Sequence, residues 1–275
     1  MKKVLFFGCF LIYGTALFAQ SEFYNKNGKE ILPRESDFSI GIDATPFFSY
    51  LGNIFNNSEN NRLDSIGGQI PFTISGKYFL RDHMAIRASI GARFSNFSSK
   101  AFVDDLSNAD TALTLSDETI NKALRIAIGG GLEFRRGHGR LQAFYGPQVT
   151  VLYSKASTEF NYGNDLSEIA PVGTPSFAAR LAEQKQGDIL DIELGGFVGV
   201  EYFFAPKISI ATEFGISFRY VNQNEGEVIL ETFERTNLII IPIENRSQIT
   251  NKTPGFSLLE LDTKPTAAIS LNFYF

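Results

Sequence analysis

Residues 264–275, KPTAAISLNFYF, carry a two-residue hydrophobic period to the last residue of the chain. Ala267, Ile269, Leu271, Phe273 and Phe275 share one parity, and Ala268, Ser270, Asn272 and Tyr274 share the other. Successive side chains of an extended chain point to opposite faces, so this is a strand between two unlike environments. A half-buried strand of a soluble sandwich has the same period. The other segments decide whether water or lipid lies on the apolar side.

Seven further segments alternate in the same way: residues 37–48, 69–80, 84–95, 123–135, 141–154, 189–204 and 208–221. In 84–95, for example, Met84, Ile86, Ala88, Ile90, Ala92 and Phe94 oppose Arg87, Ser89, Gly91 and Arg93. In 141–154, Phe144 and Leu152 break the rule. Each segment is long for a globular strand and about the length that crosses a bilayer at a tilt. The connections alternate too. Residues 81–83, 136–140 and 205–207 are tight turns, whereas 49–68, 96–122, 155–188 and 222–264 are long and net acidic. Short turns on one side and long loops on the other predict an all-β, antiparallel up-and-down transmembrane β-barrel with the short turns in the periplasm. An even strand number then puts both chain ends there.

The expected count is eight strands. Residues 227–233 and 238–243 would make ten if they ran in the wall. They are short, and Pro242 interrupts one of them, which favours a hairpin within the fourth long connection. Residues 176–186 (SFAARLAEQKQ), followed by Gly187, have a helix start and stop and predict a short helix in the third.

A soluble eight-stranded barrel would place the apolar parity inside and the polar parity in water. The polar parity here is rich in Gly and Ser, poor in Lys, and carries charges of both signs. Aromatics gather near segment ends, as with Phe38 and Phe48, Tyr202 and Phe204, and Phe218 and Tyr220. That pattern fits interfacial girdles, although the chain contains no Trp. The mean hydropathy of −0.03 is too polar for a helical membrane protein and ordinary for a barrel, where alternate residues face lipid.

Lys2 and Lys3, an apolar run over residues 4–18 and Leu17-Phe18-Ala19 before Gln20 predict a signal peptide over 1–19. Residues 20–36 then form a polar, flexible periplasmic lead-in, and residues 37–275 the barrel. Cleavage removes the single cysteine, so disulfide and thiolate chemistry are excluded from the mature chain. It also removes two lysines, taking the formal charge from −5 to −7. No basic patch marks a nucleic-acid partner.

The strongest charged constellation lies on the lumen parity: Asp43, Lys77, Arg87, Arg93, Arg125, Glu133, Asp191, Glu193, Glu201, Glu213 and Arg219. Bases concentrate on the second to fourth segments and acids on the sixth and seventh, so the two arcs oppose each other across a narrow interior. Buried charges require partners, which predicts a structural salt-bridge network filling the lumen. The alternative is a polar ion path, which needs a wider bore than eight strands leave. His83 and His138 both fall in tight turns, so no histidine is available on the long-loop side for a serine triad or a His-based acyl transfer. No cofactor or metal motif stands out. Gly129-Gly130-Gly131 lies mid-strand and reads as close packing or a bend, not a phosphate loop.

From residue 37 onward the chain resembles the outer-membrane β-barrel family of Bacteroidetes and is similar to its barrels related to the secretion protein PorT. The residues that carry this are DFSIGIDATPFFSYLGNIFNN (37–57), the FAQ end of the signal and the terminal LNFYF. The closing strand also looks like that of other bacterial outer-membrane barrels, whose terminal aromatic is read by the barrel assembly machinery. That resemblance makes Phe273 and Phe275 an assembly signal. Asp64-Ser65-Ile66 and Asp110-Thr111-Ala112 resemble the short O-glycosylation sequon of the same bacteria.

The expectation is therefore a non-enzymatic barrel in the Gram-negative outer membrane. It would contact lipid and lipopolysaccharide and present long loops for envelope structure or a protein partner, with a secretion-associated role implied by the resemblance. A narrow pore is the alternative from another class, and an outer-membrane lipase or protease is a third.

Overall fold

Extended segments satisfy their backbone N–H and C=O groups only by pairing, and in lipid that pairing has to close on itself. In the computed structural model the described residues are 28, 30–44, 74–107, 113–166, 176–237 and 242–275. The expected signal peptide, residues 45–48 and 69–73 of the first two expected strands, the first long loop and both glycosylation tripeptides lie outside them.

The strands are β1 (Phe38–Asp43), β2 (Ile74–Arg81), β3 (Met84–Asp104), β4 (Thr114–His138), β5 (Leu141–Asn161), β6 (Ser176–Lys185), β7 (Ile189–Ala205), β8 (Ile208–Gln223), β9 (Gly226–Asn237), β10 (Pro242–Thr253) and β11 (Phe256–Tyr274). Eight of them close a ring in the order β1-β2-β3-β4-β5-β7-β8-β11, with β11 returning to β1 and every pairing antiparallel. These are the eight expected wall strands. Two-residue turns at Asp82-His83, Gly139-Arg140 and Pro206-Lys207 join β2 to β3, β4 to β5 and β7 to β8 at one end. Gly139 and Lys207 sit at φ +69° and +58°, the left-handed conformation that such tight reversals demand.

The parity of each strand holds in burial. Tyr78, Ile86, Ile90, Phe94, Val149, Val151, Leu194, Val198, Phe214 and Ile216 all point outward and are exposed. On β3 this apolar face runs from Met84 to Phe94 before Asn96, and on β8 from Ile208 to Tyr220 before Asn222. These stretches make roughly ten to twelve residue-to-residue rises of about 3.4 Å each, which at a tilt of roughly 40° span about 26–31 Å, the height of a hydrocarbon core.

The long connections are corrected by the structure. β3, β4 and β5, of 21, 25 and 21 residues, continue well past the apolar belt. Above Ser154, β5 exchanges its partner β7 for β6, which pairs with β9, which pairs with β10. The result is a projecting sheet, not a set of irregular loops. Its core forms where Leu166 packs on Phe233 and Ala178. Of the residues considered for a ninth and tenth wall strand, 227–233 lie in β9 and 242–243 open β10, in this sheet and outside the ring; 238–241 are not among the described residues.

The expected helix over 176–186 is strand β6. Its helix-forming composition is overridden by a long-range ladder, in which Ser176–Lys185 lies against β9 from Arg235 to Glu227. Arg180 fixes the arrangement: its Nε donates to Glu231 (3.0 Å), its Nη1 to the Asn164 carbonyl (2.7 Å), and it stacks on Tyr162.

The lead-in is corrected in part. Residues 30–36 are not free but lie across the short-turn mouth of the ring, where Ile31 is 1% exposed against Phe79, Ala85, Phe203 and Tyr274.

Candidate functional site: the charged lumen

Because side chains alternate, each wall strand sends every second residue into the ring, and a ring of eight brings opposite walls within reach of one another. The lumen is filled in layers from the short-turn end. The first is apolar, made by Phe79, Ala85, Phe203, Tyr274 and the inserted Ile31.

The second layer is ionic. Lys77 lies 3.0 Å from Glu133 and 3.7 Å from Glu201. Arg135 donates to Glu133 (2.7 Å), to Glu201 and to the Tyr274 hydroxyl (2.9 Å). Glu201 also accepts from Ser209, the Tyr274 hydroxyl and Asn272 (3.1 Å). Both glutamates are fully buried. Arg87 links this layer to the next, since it lies 3.9 Å from Glu133 and pairs with Glu213 at 2.8 Å. Three cations (Lys77, Arg87, Arg135) face three carboxylates (Glu133, Glu201, Glu213), so the cluster is formally neutral.

The third layer returns to aromatics. Phe144 and Phe197 pack 6.1 Å apart with Ala211. Lys77 sits over Phe144 at 5.0 Å and Arg87 over Phe197 at 4.1 Å. Cations held against ring faces in a desolvated site gain electrostatic stabilisation that water does not offer. Higher up, Arg219 gathers a second group, bonding Asp191 (2.7 Å) and Glu260 (2.9 Å) and lying 3.7 Å from Glu193.

The structure therefore brings Lys77, Arg87, Glu133, Glu201 and Glu213 into one cluster and Asp191, Glu193 and Arg219 into another. Arg93 and Arg125 lie in register with each other on β3 and β4, and Asp43 closes β1 opposite Ser270. Sequence reasoning missed Arg135, Ser209, Asn272 and Glu260. It also missed the apolar fillers. Parity held the signal for several: Arg135 is two residues beyond Glu133, Phe79 two beyond Lys77 and Phe203 two beyond Glu201. Phe144, which broke the alternation, does so because it belongs to the lumen. Of the histidines, His83 is exposed in its tight turn and His138 ends β4.

An antiparallel ring with an outward apolar belt and a paired, charged interior defines an outer-membrane β-barrel protein. The family model described as "Putative OmpA-OmpF-like porin family" matches residues 63–227, more than half of the chain. The chain belongs to that family. No curated protein matches the chain.

Proposed function

We propose that this protein is a non-enzymatic outer-membrane barrel whose sealed wall holds the projecting sheet rigidly at the cell surface for a partner. The short turns and both termini then face the periplasm, and the apolar belt meets lipid and lipopolysaccharide. The single observation that supports this reading is the filled lumen. Apolar, ionic and aromatic layers succeed one another, with Phe79, Phe203, Glu133 and Glu201 all at 0% exposure. The likeness to PorT-related barrels, with its secretion-associated role, rests on residues 37–57, the FAQ end of the expected signal and the terminal LNFYF.

The family supports a second reading, a narrow pore. Planar-bilayer recording separates the two. Purified protein is expected to give no regular conductance steps. Discrete steps that disappear in Arg87→Gln or Glu213→Gln would replace the anchor reading with the pore.

Phe275 is expected to be the assembly signal. It stacks on Phe38 at 5.1 Å, and the two residues exchange both backbone hydrogen bonds (3.1 and 2.8 Å). The residue proposed as the signal is thus engaged in the finished barrel. Phe273 faces outward beside it, in register with Ile40 and Ile208. Phe275→Asp should reduce the amount of barrel recovered in outer-membrane fractions several-fold. Wild-type recovery would remove the signal role from the terminus.

A further inference from the structure

The ring has one joint that brings together the two ends of the chain, β1 with β11. Ser39–Asp43 pairs with Ser270–Tyr274, and the hydrogen bonding continues through Phe38 with Phe275 and Ala44 with Ile269. Parting this joint would expose two rows of unpaired backbone groups.

Residues 30–37 cross this joint from below. On one side they hold β2 and the β2–β3 turn. The Ser36 amide donates to the Phe79 carbonyl (2.8 Å), and the Glu35 amide to the Asp82 carboxylate (2.9 Å). On the other side they hold the β7–β8 turn, which carries β11. The Lys207 amide donates to the Ile31 carbonyl (3.1 Å), Lys207 Nζ donates to the Asp37 carboxylate, and the Tyr274 amide donates to the Lys207 carbonyl (2.9 Å). The pocket for Ile31 is likewise shared, with Phe79 and Ala85 from one side of the joint and Phe203 and Tyr274 from the other.

We propose that residues 30–37 are a latch that ties the two sides of the closing joint together and docks only after β11 has joined β1. The pocket dictates the order. Tyr274 is the last residue of β11, and until that strand is in place Ile31 has half a pocket and Lys207 lacks its Tyr274 amide. The latch acts at the joint and not as a general filler, because its polar contacts fall on the elements that flank the joint.

Hydrogen exchange of the full-length protein folded in detergent tests this against a plain core role. Ile31→Ala should speed exchange at least tenfold in peptides covering β1 and residues 270–274, while β3–β4 peptides over Ile86–Phe94 keep wild-type protection. Lys207→Ala, which removes the ion pair and spares the apolar pocket, should shift the same peptides by a smaller factor. Uniform acceleration of all strands in Ile31→Ala would overturn the latch, since a core filler destabilises the whole ring. Unchanged exchange at the β1–β11 joint in both variants would overturn it too. If Ile31→Ala does not fold, Lys207→Ala decides by the same comparison.

Discussion

Arg135→Met is expected to lower the stability of the folded barrel by about 3–5 kcal/mol, the usual cost of stranding buried charges by removing one partner. Methionine keeps the stem and loses the guanidinium that spans Glu133, Glu201 and Tyr274. Two cations are then left with three carboxylates in a site closed by aromatic layers on both sides. The chain has no tryptophan, so the readout is the urea midpoint of the heat-modifiable shift in gel mobility. Adding Glu201→Gln to Arg135→Met restores neutrality and should recover a large part of the loss. An exposed pair serves as control: Lys252 bonds Glu225 at 2.7 Å on the projecting sheet, and Lys252→Ala should leave the midpoint unchanged. If Arg135→Met unfolds at the wild-type midpoint, the ionic layer contributes no cohesion.

The wall was legible in the sequence because a period of two is a local property with a direct structural meaning. Each wall strand needed only its own alternation, and the tight turns marked one rim. The projecting sheet was not legible, because β6 owes its form to β9, some fifty residues away in sequence. Ala178, Ala179, Arg180 and Leu181 are good helix formers, and nothing within ten residues announces that Glu231 and Phe233 will be their neighbours. The same limit explains Ile31. Its segment is polar in composition, and the burial of Ile31 makes sense only once β2, β3, β7 and β11 surround it.

The lumen lies between these cases. Its charges were visible as a parity, and in the structure Arg87 lies against Glu213 and Lys77 against Glu201. The apolar residues among them were not anticipated, because a strict rule of polar inside and apolar outside has no place for Phe79 and Phe203. Eight strands enclose a space that side chains fill, so a lumen can carry apolar layers as a soluble core does. Here those layers desolvate the ion pairs, which strengthens the attraction and raises the cost of any unpaired member.

Close approach of the wall strands supplies the other large expected effect. The β4–β5 ladder runs to Gly131 opposite Gln148 and resumes at Phe134 opposite Tyr145. Between them stands Pro147, which has no N–H to donate. The two strands pinch there: a Cβ on Gly146 would lie 1.8 Å from the Leu132 carbonyl oxygen, and one on Gly131 would lie 2.5 Å from that of Pro147. Both obstacles are backbone, so neither can swing aside. Gly146→Val is therefore expected to cost about 3 kcal/mol or more and to leave little barrel in the compact, heat-modifiable form. Gly130 is the control within the glycine triplet. A Cβ there meets nothing nearer than the Arg87 carbonyl oxygen at 3.8 Å, and its parity faces outward. Gly130→Val should fold as wild type, since a β-branched residue suits an open strand position. The triplet then divides by physical cause: Gly131 is required by the neighbouring backbone and Gly130 is not. If Gly146→Val and Gly130→Val behave alike, the pinch at Pro147 does not constrain the wall.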